Sequence, residues 1–358
     1  MPDHEIAMEE SLGDIVSAGD VVAGKYRVER VIGTGGMGVV VEAWHIHFEE
    51  RVAIKFLFPQ MGANEEALGR FEREARAAFK IKSEHVARVI DVGKLEGKAP
   101  YMVMEYLEGG DLADRLTDRE PFVIEEAVDF VLQAVEAVAE AHALGIVHRD
   151  LKPENLFLTT RDDMTPCVKI LDFGIAKLSG ATGDLAKVKA TATGDIFGTP
   201  MYMSPEQCKS EAEKISAQSD IWAFGLIVYR LLTGDDFWTA NTLTHLIAQI
   251  AYEPMPKASE RGSNLGPNFD RWFEVCCSRD VDERFKTASE AIDAFAETMG
   301  LDPVARVSAP MKATARAQAG PANRGSDPSV APTPAAASPG SQTRQSLGFA
   351  PLSRARSP

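Results

Sequence analysis

Cysteine is scarce in this chain, with four in 358 residues. Cys276 and Cys277 are adjacent and poorly placed to pair, and no metal-ligand spacing occurs, so neither a disulfide scaffold nor a zinc-binding module is indicated. No uninterrupted apolar stretch approaches the ~20 residues that span a bilayer. The N-terminus has neither the basic start nor the apolar run of a secretion signal. These absences lead us to expect a soluble, cytoplasmic protein with reduced thiols. No internal repeat is visible. Basic residues are missing from positions 1–24, where Asp3, Glu5, Glu9, Glu10, Asp14 and Asp20 give a net −6. Residues 25–300 carry a net −14 and residues 301–358 a net +5. An acidic centre of this kind argues against a nucleic-acid partner.

What remains is an ordinary globular composition, 45% hydrophobic and 25% charged, in a chain long enough for one large domain with tails. Residues 1–25 read as an acidic flexible lead. From Tyr26, "YRVERVIG", "GVVVEAWH" and "RVAIKFLF" are rich in β-branched or aromatic residues and predict strands. A charged helix is expected over roughly 64–82, followed by the strand-like runs "VARVIDVGK" and "PYMVMEYLEG". Beyond Gly109-Gly110 the pattern turns helical. Ala127, Val128, Val131, Ala134, Val135 and Val138 predict a helix over 125–143 closed by Gly145. A second long helix is expected over 219–232, with Ser219 as its N-cap and Gly234 past its end. Further helices are expected at 241–251, 268–278 and 287–299. The fold class is therefore α+β, a strand-rich lobe (about 26–107) before a larger helical lobe (about 108–298). Residues 299–358, rich in Ala, Pro, Ser and Arg, bury too little apolar surface to offset ordering entropy and read as a disordered tail.

Several stretches carry chemistry. "GTGGMGVV" spaces Gly33, Gly35 and Gly38 so that backbone N–H groups can approach phosphate oxygens. The same spacing opens dinucleotide-binding folds, but there a helix should follow, whereas here "VVVEAW" continues as a strand. Lys55 lies in an apolar strand, where a cation needs a carboxylate. Glu72 and Glu74 on the following helix both flank its apolar stripe, and periodicity leaves both open. "HRDLKPEN" packs an aspartate, a lysine and an asparagine into one turn between apolar flanks, and "DFG" follows at 172–174.

In order, these motifs resemble those of the protein kinase family over roughly residues 26–298: a glycine-rich loop, the lysine of "VAIK", the catalytic loop "HRDLKPEN", "DFG", and "SPE" at 204–206 in place of the usual "APE". The resemblance implies a two-lobed fold with a small antiparallel-sheet lobe carrying one main helix and a larger helical lobe. It implies ATP with Mg²⁺ or Mn²⁺, and protein substrates with Ser/Thr acceptors. In that pattern Asp150 accepts the substrate proton, Lys152 meets the γ-phosphate, and Asn155 and Asp172 hold the metal. Glu74 becomes the partner of Lys55. Ile32, Gly33, Gly35, Gly36, Gly38, Val40 and Ala53 surround the nucleotide. Met104 lies behind the adenine, and the backbones of Glu105 and Leu107 hydrogen-bond it.

The same resemblance assigns regulation and support. Arg149 would receive a phosphate on the activation segment, with Thr191 and Thr193 as candidate sites modified between two self-associating copies. Thr199 would steady Asp150 and Lys152, Glu206 would pair with Arg284, and Asp220 would bind the catalytic-loop backbone. "DLKPEN" and the Gly198-Thr199 pair resemble serine/threonine rather than tyrosine kinases, and the leading and activation segments look like bacterial kinases of eukaryotic type. A catalytically dead relative would lack one of Lys55, Asp150, Asn155 or Asp172, and all four are present.

Overall fold

The computed structural model describes residues 15–35, 38–58, 65–95, 99–118, 121–173, 199–261 and 265–300. Residues 301–358 of the expected tail and positions 1–14 of the expected lead lie outside them, as do Gly36, Thr191 and Thr193, whereas Met299, expected in the tail, packs against the helical core. Six strands form one antiparallel sheet in the order β1-β2-β3-β4-β6-β5. They are β1 (Val21–Val22), β2 (Tyr26–Thr34), β3 (Gly38–His45), β4 (Glu50–Leu57), β5 (Val89–Lys94) and β6 (Pro100–Glu105). Packed structure is already present before the expected boundary at Tyr26. Ile15 and Val16 are buried in the sheet's core and Val21–Val22 pairs with β2. Two short apolar pairs amid acids carry too little pattern to announce this.

Alternation along the strands decides which side chains can work. On β4, Val52, Ile54 and Phe56 enter the core on one face of the sheet. With a period of two, Ala53 and Lys55 point to the other face. Likewise Val103 enters that core, while Met102 and Met104 pack on the far side with α1 (Glu65–Lys80). There α1 offers Phe71 and Ala75, and Glu74 lies between them.

The second lobe is built around α3 (Ile124–Ala143) and α5 (Ala217–Thr233). Twelve of the 17 residues of α5 are buried, including Trp222, Phe224 and Tyr229, as befits a helix apolar all round. Gly225 is required on it: a Cβ there would meet the Cys277 sulfur at 2.7 Å. The N-cap of α5 is Ser216, not the expected Ser219. Ser219 lies one turn inside, where its oxygen accepts from the Ser216 N–H at 3.2 Å and its hydroxyl donates to Glu206 at 2.6 Å, so it serves the helix end from within and a buried acid at once. The helix closes at Gly234, φ 76°, as its position implied. A three-stranded antiparallel sheet that the sequence patterns did not announce joins β7 (Gly110–Asp111), β8 (Leu156–Thr160) and β9 (Pro166–Ile170). All four cysteines are free and buried in this lobe.

Arg284 joins α4 (Pro205–Cys208) to the segment before α8 (Ala288–Thr298). Its guanidinium donates to both oxygens of Glu206 at 2.8 Å, to the Ser278 carbonyl at 2.7 Å and to the Gln218 carbonyl at 2.9 Å. Both side chains are essentially sealed from solvent, at 0% and 2% exposed. Burial pushes the Glu206 carboxyl upward, but the Arg284 and Ser219 bonds more than offset this and hold it below the usual carboxylate range. The sign of the linkage follows: its stabilisation is present above the ordinary Glu pKa and is lost as pH falls through the depressed folded value. Arg284→Met strands the Glu206 charge and should cost about 3–5 kcal/mol. Denaturant unfolding at neutral pH, repeated toward pH 4, checks both statements: the gap between wild type and variant should narrow as Glu206 protonates.

Candidate active site

Between the lobes lies a cleft of about 770 Å³. Its upper wall holds Ile32, Val40 and Ala53, and its rear holds Met102 and Met104. Glu105 and Leu107 border it on the segment connecting the lobes, and Phe157, Ile170 and Leu171 line it from the helical side. The walls are apolar and a strand edge supplies main-chain polar groups, which suits a flat heteroaromatic ring. The Glu105 N–H donates to the Arg88 carbonyl at 3.0 Å and is engaged within the sheet lobe. The Glu105 carboxylate turns away to Lys169 at 2.8 Å and the Arg88 N–H at 2.8 Å. The sequence reading missed Phe157, Val86, Ala87 and Met102. Phe157 did carry a signal, as the middle residue of "LFL" whose neighbours Leu156 and Leu158 are buried.

The charged centre of the cleft is Lys55. Its ammonium lies 2.8 Å from Glu74 Oε1 and 2.8 Å from Asp172 Oδ1. Burial separates the two acids that periodicity left open, since Glu74 is buried and Glu72 exposed. Burial would lower the Lys55 pKa, but Asp172 and Glu74 together raise it above its ordinary value, so the side chain is a fixed cation. For Glu74, burial dominates over the pull of Lys55, and with Asp172 nearby its carboxyl rises to about 7. For Asp172, the partial desolvation of the cleft works upward, yet Lys55 brings the carboxyl below the usual range. Its side chain is 48% exposed to the cleft, so water adds to the preference for the ionised form. One lysine thus keeps one neighbour ionised beside a second acid that protonates readily.

The loop of Asp150 and Asn155 is held by the helical lobe. Asp220, 1% exposed at the start of α5, accepts from the His148 N–H and the Arg149 N–H, each at 2.8 Å, and from His142 Nε2 at 2.7 Å. Asn155 Nδ2 donates to the Asp150 carbonyl at 2.7 Å, which leaves its amide oxygen as the end able to ligate a cation. The Leu171 N–H donates to the Asn155 carbonyl at 2.9 Å, so the segment bearing Asp172 is fastened to the loop bearing Asp150. Arg149 and Asp172 both adopt left-handed backbone, φ 70° and 42°, a strain of order 1–3 kcal/mol each that the surrounding bonds must hold. Lys152 precedes the 3₁₀ turn Pro153–Asn155. Thr199 opens another, Thr199–Tyr202. Gly33 and Gly38 lie on the paired strands β2 and β3. A Cβ on Gly38 would run into the Phe56 carbonyl, so there glycine serves close strand contact.

Among the described residues no cluster of three or more His, Cys, Asp or Glu could hold a metal. A divalent cation at Asp172 and Asn155 would need further oxygens from a nucleotide, and the two protein ligands, one acid and one amide oxygen, fit such a cation.

The family model for the protein kinase domain matches residues 26–309. The serine/threonine-protein kinase pkn3 of Myxococcus xanthus is 35% identical over 283 residues, 77% of this chain and 51% of that protein. Pkn1 of the same organism is 38% identical over 67% of this chain and 33% of its own length. PknL of Mycobacterium tuberculosis is 32% identical over 80% of this chain and 69% of that protein. This chain therefore spans about half and one third of the two Myxococcus relatives. The crystal structure of the Mycobacterium tuberculosis PknI kinase domain superposes with a TM-score of 0.60 at 27% identity, covering 79% of this chain and 99% of that one. The chain belongs to the protein kinase family, with the two-lobed fold that its motifs implied.

The electrostatics of the cleft yield a measurable outcome. Replacing Asp172 by Asn removes a negative charge beside Glu74, so the Glu74 carboxyl should ionise at lower pH than about 7. Infrared difference spectra of the protonated carboxyl band against pH, with Glu74→Gln subtracted, would show the titration shifting downward.

Proposed function

We propose that this chain is a serine/threonine protein kinase that transfers the γ-phosphate of ATP to hydroxyls of protein substrates, using Mg²⁺ or Mn²⁺. The observation that carries this reading is the Lys55 ammonium, 2.8 Å from both Glu74 and Asp172, in an apolar cleft whose residue Leu171 is hydrogen-bonded to Asn155. Phosphoryl transfer asks a protein mainly to position the reactants and to neutralise charge. Lys55, oriented by Glu74, would hold the nucleotide phosphates, with the glycine-rich segment of Gly33, Gly35, Gly36 and Gly38 offering backbone N–H groups to them. Ile32, Val40, Ala53 and Met104 would enclose the base, with the Glu105 carbonyl and the Leu107 backbone as its polar contacts. Asp172 and the Asn155 oxygen would hold the cation, which when bound offsets phosphate charge. Asp150 would orient the acceptor hydroxyl and take its proton, with Lys152 beside the phosphate and Thr199 steadying both.

Regulation belongs to the same proposal. The Nε of Arg149 is buried without a hydrogen-bond partner among the described residues, and burial lowers the pKa of its guanidinium. A phosphate on Thr191 or Thr193, transferred between two copies, would supply the missing acceptor. Among the described residues no helix is long and apolar enough to cross a membrane, and we place the reaction in the cytoplasm.

Purified protein with ATP, Mg²⁺ and a basic protein substrate should place phosphate on serine and threonine. Asp150→Asn should lower the rate by about 10²–10⁴-fold while nucleotide binding persists. Equal transfer by both proteins would sink the assignment of Asp150. Phosphosite mapping that finds full activity with Thr191 and Thr193 unmodified would remove the regulatory part alone.

A further inference from the structure

We infer that Gln207 is a positioning residue whose side-chain amide fixes the peptide carrying Asp150. This rests on the phosphotransfer reading above and deepens it. The peptide joining Arg149 to Asp150 is held on both sides. Its N–H, belonging to Asp150, donates to His148 Nδ1 at 3.3 Å. Its carbonyl, belonging to Arg149, accepts from Gln207 Nε2 at 2.8 Å. The preceding N–H, that of Arg149, is taken by Asp220 at 2.8 Å.

The orientation of the Gln207 amide follows from its other neighbour. The Ser204 N–H can only donate, and it lies 3.0 Å from Gln207 Oε1, with the Ser204 hydroxyl 3.1 Å from the same oxygen. The nitrogen must therefore face Arg149. Gln207 is thus the N3 member of a capping box on α4 and a crosslink to the catalytic loop at once. The base it reaches from is firm, because the adjacent Glu206 is locked by both bonds to Arg284 and Ser204 is wholly buried.

Asp220 and His148 restrain N–H groups only, whereas Arg149 is at φ 70°. Turning the 149–150 peptide, which rotates ψ of Arg149 and φ of Asp150, would swing the Asp150 side chain. A donor bonded to the Arg149 carbonyl from outside the loop opposes that turn. Gln207 also ties the loop to the segment after residue 198, so displacement of α4 would be transmitted to Asp150 through a single amide.

The test compares full-length wild type, Gln207→Met and Ser204→Ala, using ATP, Mg²⁺ and a basic protein substrate. Each is measured for kcat per folded molecule, for the KM of ATP, and for amide exchange at residues 148–150. Methionine keeps the length of glutamine and removes its donor and acceptor. We expect kcat to fall about ten-fold, equivalent to about 1.4 kcal/mol, with the KM for ATP unchanged and faster exchange at the Asp150 amide. Ser204→Ala retains the Ser204 N–H and both amide bonds of Gln207, so its kcat should equal that of wild type. A Gln207→Met protein with wild-type kcat per folded molecule overturns the positioning role. A wild type that transfers no phosphate defeats the functional reading instead. The tie itself is then decided by exchange, with faster exchange at Asp150 upholding it and unchanged exchange overturning it.

Discussion

A carboxylate at the start of the most buried helix organises the working half of this protein. Asp220 is 1% exposed and takes three hydrogen bonds, from His142 on α3 and from the His148 and Arg149 amides of the catalytic loop. A buried charge of this kind is tolerated only with such donors around it. Because α5 is gripped on all sides by apolar packing, the loop is referred to the rigid middle of the lobe rather than to its surface. Arg149 can then stay in left-handed backbone, and the residues after it reach the cleft.

In the sheet lobe the chemistry depends on period two. Lys55 reaches the cleft because Ile54 and Phe56 claim the other face of β4, and Glu74 meets it because Phe71 and Ala75 turn that side of α1 inward. The acids at Lys55 divide into an ionised Asp172 and a Glu74 that titrates near neutrality. The lobes are joined at the site by hydrogen bonds as well as by chain: Ile170 donates to the His85 carbonyl at 2.8 Å, and the Ala87 N–H donates to the Ile170 carbonyl at 3.0 Å.

Much of this was legible beforehand. The ordered motifs gave the family, the fold class and the residues that meet in the cleft, because short-range spacing encodes them. Burial was harder to read. Glu72 and Glu74 are equivalent by periodicity and differ only once α1 lies against the sheet. Ser219 has the chemistry of an N-cap, but Ser216 takes that position and Ser219 joins the capping box from one turn inside while its hydroxyl donates to Glu206. Strands β8 and β9, five residues each, were too short to stand out beside the charged catalytic loop. Ile15 and Val16 fill the sheet's core from a stretch whose composition is that of a solvated lead. Gln207 could not be read at all, since its partner is 58 residues away.

The placement of the thiols gives the molecule an internal gauge. Cys167, Cys208, Cys276 and Cys277 are all buried in the helical lobe, and burial raises every one of their pKa values, so each is a neutral and sheltered sulfur. A thiol reagent therefore meets almost no reactive thiolate in the native protein and modifies it only as fast as that lobe opens. The sheet lobe, which has no cysteine, is silent to the same reagent. The rate of alkylation thus times the breathing of one half of the protein against an unlabelled other half, with no engineered probe.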